Sequence, residues 1–118
     1  MTPLVWMGSS LKDLRSFPDA VKRVAGYALY VAQAGGKHAD AKPLRGFSGA
    51  GVLEVVIDVD GTTYRVVYTV RFPNVIYVLH AFQNKARRGI ATPQQELDVI
   101  RARLQQARAH AQGGASKG

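Results

Sequence analysis

The chain has 118 residues, 47% of them hydrophobic, which is the length and apolar content of one ordinary domain with a real core. Sixteen Lys and Arg against eight Asp and Glu give a formal charge of +8 and a pI near 10.2, favouring a polyanionic partner such as nucleic acid or an acidic protein over a membrane surface. With no cysteine, a disulfide framework, a thiolate metal site and a cysteine nucleophile are excluded, and no segment approaches the roughly eighteen apolar residues of a membrane helix, so the chain reads as soluble, unprocessed and cytoplasmic.

From Ser9 to Ala34 the apolar spacing is helical, with Leu11 and Leu14 on a short first helix and Val21, Ala25, Ala28, Leu29 and Ala32 on a second. Pro18 suits a first helical position and separates the two; Gly35-Gly36 ends the second. Residues 35–51, GGKHADAKPLRGFSGAG, have no period and read as a long connector.

Strands follow. VLEVVIDV, the hairpin signal Asp60-Gly61, TYRVVYTVRF, the turn Pro73-Asn74 and VIYVLHAF make a three-strand antiparallel meander. Alternation places Tyr64, Val66, Tyr68 and Val70 on one face of the middle strand and Arg65, Val67, Thr69 and Arg71 on the other. On the last strand the same rule groups Ile76, Val78, His80 and Phe82. The segment opening with Thr92-Pro93-Gln94-Gln95 reads as a capping box with Pro93 at the first helical position, and Leu97, Ile100, Leu104, Ala107 and Ala111 form its apolar stripe. GGASKG reads as a disordered tail, giving one domain over residues 1–111 and a tail over 112–118. The predicted class is α+β: two N-terminal helices packed on a small antiparallel sheet, with a C-terminal helix.

Gly35-Gly36-Lys37 lacks the remaining residues of a phosphate-binding loop, and His38, His80 and His110 have no ligand spacing, so no metal and no cofactor is expected. What remains is a cationic set around the sheet. Lys42 and Arg45 stand in the connector, Arg65 and Arg71 on the middle strand, and Lys85, Arg87 and Arg88 after the last strand; residues 60–118 hold nine Lys and Arg against three acids. Such a sheet can hold a phosphate backbone, with Tyr68 able to reach a strand end. A mid-strand arginine needs a partner, and for Arg65 an ion pair with Glu54 or Asp58 is as good a reading as catalysis. A lone strand histidine is more often a hydrogen-bonded core residue than a catalyst. Together, a histidine, arginines and a tyrosine supply the base, the charge stabilisation and the acid needed to cleave RNA through its own 2′-hydroxyl. Arg101, Arg103 and Arg108 on the last helix read as solvated charge.

The series KPLRGF, GAGVLEVVIDVDGTTYRVVYTV, VIYVLHAFQNKARRG and TPQQELDVIRARL, over roughly residues 4–108, resembles the RelE/ParE toxin superfamily and within it the HigB-like, phage-derived branch of type II toxin–antitoxin systems. The resemblance implies a RelE-like fold, with an extra N-terminal edge strand over Leu4 to Met7. It implies a toxin that cuts mRNA without metal, usually on the ribosome, thereby inhibiting translation, and an antitoxin partner that is commonly a helix-turn-helix protein. By position, Arg65 corresponds to the family's phosphate-binding arginine, Lys42 to its connector lysine, His80 to the histidine of the HigB branch and Lys85 to the lysine after the phenylalanine; Arg45, Tyr68, Arg71, Arg87 and Arg88 are the expected RNA contacts. Two departures bear on the proton-transfer group: Val56 stands where many relatives have arginine, and no C-terminal tyrosine follows Tyr77. The resemblance therefore points to His80, assisted by Lys42, for proton transfer, with Arg65 and Lys85 holding the scissile phosphate. ParE-type members, which poison gyrase and cut nothing, share the fold, so a binding toxin is the alternative.

Overall fold

The computed structural model describes residues 1–47, 49–84 and 91–117, with side chains on the last helix described as far as Gly113. The elements in chain order are β1 (Leu4–Trp6), α1 (Ser10–Arg15), α2 (Asp19–Gln33), β2 (Ala41–Pro43), β3 (Val52–Val59), β4 (Thr62–Thr69), β5 (Ile76–Asn84) and α3 (Gln94–Lys117). The strands form one sheet in the order β1-β5-β4-β3-β2, with β1 parallel to β5 and the other pairs antiparallel. The meander is as the alternation predicts, and the architecture is α+β with helices at both ends, consistent with a RelE-like fold.

Asp60 and Gly61 join β3 to β4 with φ of 50° and 80°, the two positive values that a tight hairpin turn requires. One strand was not foreseen. Ala41–Pro43, inside the supposedly unstructured connector, adds to the edge of β3 with Lys42 opposite Glu54. Three residues are too few for a periodic signal, and Pro43 is tolerated because nothing pairs beyond it in the sheet order.

The helices cover both faces. α1 and α2 bury Leu14, Val21, Ala25, Ala28, Leu29 and Ala32 against Val55, Ile57, Tyr64, Val66, Tyr68, Ile76, Val78 and Ala81. On the opposite face α3 packs Ile100, Leu104 and Ala107 against Val52, Val67, Tyr77, Leu79 and Phe82. Both apolar stripes are the ones that helical spacing predicts. Pro18 and Pro93 each sit one residue earlier than predicted, accepting the first helical bond, from Lys22 N–H at 3.0 Å and Leu97 N–H at 3.1 Å. α3 also runs on through Gly113 and Gly114 to Lys117, past the point where composition places a tail. Glycine costs a helix about 1 kcal/mol per residue relative to alanine, which weakens a turn without breaking its backbone bonds as proline does.

The grouping of Ile76, Val78, His80 and Phe82 on one face is overturned by a β-bulge. Val67 faces His80 while the next residue of β4, Tyr68, faces Val78, so Leu79 is an extra residue in β5. Ile76 and Val78 therefore face α2, whereas Phe82 joins Val67 on the α3 face and His80 meets side chains of α3. Among the described residues no helix is long and apolar enough to cross a membrane.

Candidate functional site

Arg65 lies on the α3 face of β4, one diagonal step from Glu54 of β3, whose register partner is Val67. Its Nη1 meets Glu54 Oε2 at 3.3 Å and donates to Thr92 Oγ1 at 3.1 Å; both charged side chains are only 6% exposed. The predicted ion pair with Glu54 is thus present. Thr92 turns its hydroxyl to this guanidinium just before α3 begins. Across the edge, Lys42 Nζ stands 3.9 Å from Glu54 Oε1 and remains 62% exposed, so the acid is held between a buried and a solvated cation.

These groups line a cleft of about 810 Å³ at the β2 edge of the sheet. It is bounded by Val24 of α2, by the connector around Arg45 and by Thr92 and Leu97 at the start of α3. Its described lining holds three cations, Lys42, Arg45 and Arg65, and three acids, Asp40, Glu54 and Asp58. The concavity is therefore a place where acid and base stand side by side, with Glu54 the most deeply buried carboxylate.

His80 belongs to a second polar network. Its Nε2 is 3.2 Å from Glu96 Oε2, its Nδ1 is 3.1 Å from Arg103 Nη1, and its ring stacks on Phe82 with centroids 4.8 Å apart. An arginine can only donate, so Nδ1 accepts and Nε2–H donates to Glu96, which defines a neutral imidazole. Burial lowers the His80 pKa below its ordinary value of 6.5, Glu96 acts in the raising direction, and Arg103 adds to the lowering. His80 is not among the residues that line the cleft.

Arg103, read from the sequence as solvated, is instead committed to this network. It donates to the carbonyl of Leu79 at 3.0 Å and to Ser9 Oγ at 3.2 Å, and Ser9 Oγ in turn donates to Asp13 at 2.7 Å. The bulge is the reason: an extra residue cannot place its carbonyl in the ladder, and Arg103 supplies the donor. Gly8, at φ 53°, leaves room for the guanidinium, since a Cβ there would lie 2.6 Å from Arg103 Nε. Arg101 likewise is not plain solvated charge, standing 5.0 Å over the Phe47 ring.

Of the expected RNA contacts, Arg45 lines the cleft, whereas Arg71 is exposed outside that lining, with its stem packed against Gly51. Tyr68 is corrected: it is wholly buried on the α1/α2 face, opposite Arg65, and burial pushes its hydroxyl up to about 12. Alternation already placed it there; the shared strand does not make a shared surface. Lys85, Arg87 and Arg88 fall outside the described residues. Sequence reasoning missed Thr92, taken as a cap, and the partners Glu96 and Arg103. Their spacing of seven residues, beside the Ile100–Leu104 stripe, was a legible sign that both lie along one flank of α3.

No curated protein and no solved structure matches the chain. A family model does, described as phage derived protein Gp49-like (DUF891), over residues 12–105, from α1 into α3 and including both polar networks except Ser9. With most of its length covered, and with α+β architecture around a cleft built on β2, β3 and β4, the chain belongs to the phage-derived Gp49-like family, a toxin family of the RelE/HigB type that operates in toxin–antitoxin pairs.

Proposed function

We propose that this chain is the toxin of a type II toxin–antitoxin pair and an endoribonuclease that cuts mRNA, with ribosome-bound message as its substrate, using side chains in place of a metal. The observation that carries the reading is the Lys42–Glu54–Arg65 set: a buried acid touching a buried arginine, open to a cleft and flanked by an exposed lysine. In the reaction the 2′-hydroxyl loses its proton and attacks the adjacent phosphorus. Charge builds on the non-bridging oxygens, and the 5′-oxygen leaves with a proton, yielding a 2′,3′-cyclic phosphate and a 5′-hydroxyl. Arg65 and Lys42 stabilise that charge, and Lys42 protonates the leaving oxygen in this reading, which its exposed position on the cleft lining supports. Glu54 takes the 2′-hydroxyl proton in this reading, because it lines the cleft while both His80 nitrogens are engaged by Glu96 and Arg103. His80 acts as a positioning residue, binding the first turn of α3 through Glu96, two residues inside the helix that follows Thr92.

The test is induced expression with mapping of message ends, in the wild type and in Glu54→Gln. Growth arrest with new cuts ending in 2′,3′-cyclic phosphate, both lost in Glu54→Gln, is expected. Arrest without new cuts, accompanied by blocked supercoiling by gyrase, would replace cleavage with a ParE-like binding mode. Co-expression of a small neighbouring helix-turn-helix protein should restore growth and co-purify with the chain.

A further inference from the structure

Four large hydrophobic residues stand out among the described residues as exposed: Met1, Tyr27, Tyr30 and Val70. Two of them are neighbouring tyrosines on the outer face of α2, 60% and 52% exposed, with ring centroids 6.5 Å apart and planes 26° from parallel. Neither belongs to the clusters that hold α2 to the sheet. His38 stands edge-on to Tyr27 at 5.6 Å and is fixed by the Asp40 N–H, which donates to its Nδ1 at 3.0 Å. We propose that Tyr27, Tyr30 and His38 form a stacking surface for unpaired bases of single-stranded RNA, continuing the cleft onto the outer face of α2.

Continuity with the cleft carries the argument, which rests on the RNA-cleavage reading. Val24 and Asp40 both line the cleft; Tyr27 lies one helical turn beyond Val24, and His38 is bonded to Asp40. At 1.5 Å per residue, Tyr30 is about 9 Å along the helix from Val24, so the aromatic surface begins at the cleft wall. Cations flank it. Arg23 is exposed one turn before Tyr27, and exposed Lys37 adjoins His38. Rings interleaved with cations beside a groove are the means by which proteins hold single strands, because every base offers a π-face while the cations follow the phosphates. An apolar partner would find only two isolated rings with phenolic hydroxyls. The sequence-tolerant character of stacking also suits a toxin acting on many messages.

Binding of labelled 2′-O-methyl oligoribonucleotides, which cannot be cleaved through the 2′-oxygen, separates this surface from the cleft. A matched oligomer lacking bases serves as the second probe. Tyr27→Ala/Tyr30→Ala should weaken the base-bearing oligomer about tenfold or more, the scale of one lost stacked base, while leaving the abasic oligomer unchanged. Tyr27→Phe/Tyr30→Phe should bind as the wild type does, since the faces remain. Arg65→Ala should weaken both probes. If the double alanine variant is folded and binds base-bearing RNA normally while Arg65→Ala does not, the stacking surface is wrong and the cleft reading stands. If the double alanine variant binds RNA normally but no longer co-purifies with the antitoxin, the tyrosines serve a protein partner instead and the proposal is likewise overturned. Failure of the wild type to bind either probe removes both readings.

Discussion

Arg65→Ala separates the structural part of one guanidinium from the catalytic part proposed for it. In the fold it meets Glu54 at 3.3 Å with both side chains 6% exposed, so its deletion leaves a buried carboxylate. Breaking a buried pair by removing one partner costs about 3–5 kcal/mol, mostly from the stranded charge. Lys42 already stands 3.9 Å from the other carboxylate oxygen and can take up part of that charge, which places the expectation at the lower end, about 3 kcal/mol. For a chain of this size each kcal/mol moves the melting temperature by roughly 4 °C, so a fall of about 12 °C is expected. Adding Glu54→Gln to Arg65→Ala removes the stranded charge and should recover most of the fall.

Chemistry is judged on the single variant, because Glu54→Gln also removes the proposed proton acceptor. Cleavage per folded molecule should drop about a hundredfold to a thousandfold in Arg65→Ala, the scale of losing one preorganised donor. Arg65→Lys should regain only part of it, since the forked contact is gone. Circular dichroism melts and RNA cleavage on the same preparations give both readouts. A double variant as unstable as Arg65→Ala refutes the stranded-charge account, and an Arg65→Ala protein that cleaves normally once folded removes Arg65 from the chemistry.

The remaining expectations concern the second network and the core. Gly8→Ala forces a Cβ into the Arg103 guanidinium at a positive φ, and should lower the melting temperature more than Gly113→Ala, whose added Cβ meets nothing within 4 Å. His80 has a folded pKa below 6.5, so the unfolded chain binds more protons between the two values. Its contribution is therefore fully present above about pH 6.5 and is lost as pH falls through that window to the folded value; His80→Gln should flatten this part of a melting-temperature profile, and an unchanged profile would refute the neutral assignment. Tyr68 is wholly buried and its hydroxyl has no hydrogen-bond partner among the described residues, so Tyr68→Phe should stabilise by about 1 kcal/mol; a clear loss in a chemical-denaturation series would show that the hydroxyl is satisfied.

Sequence patterning carried most of the fold because its signals are local. Asp60-Gly61 had to make a tight turn, and the stripes of α2 and α3 had to face a sheet. β2 was invisible because three residues carry no period and its partner strand lies nine or more residues away. The Arg65–Glu54 pair could be read from alternation on adjacent strands, although Thr92 as a further partner could not, since it depends on how α3 returns to the sheet. The largest miss came from the rule that worked elsewhere: strict alternation fails after one inserted residue, and a bulge at Leu79 leaves no mark in an apolar run.

That bulge also explains why a buried strand carries a histidine. Had alternation continued from Val78, His80 would have faced Val21, Ala25 and Leu29 on the helices' apolar side, where an imidazole without partners costs on the order of 1–3 kcal/mol. The insertion puts Ala81 in that place and turns His80 toward α3, where Glu96 and Arg103 occupy both nitrogens. α3 is then tied at its start to two neighbouring strands, to β5 through Glu96 and His80 and, just before the helix, to β4 through Thr92 and Arg65. Any change that loosens His80 thus shifts the wall against which Arg65 rests, so a histidine outside the cleft helps to fix an arginine inside it.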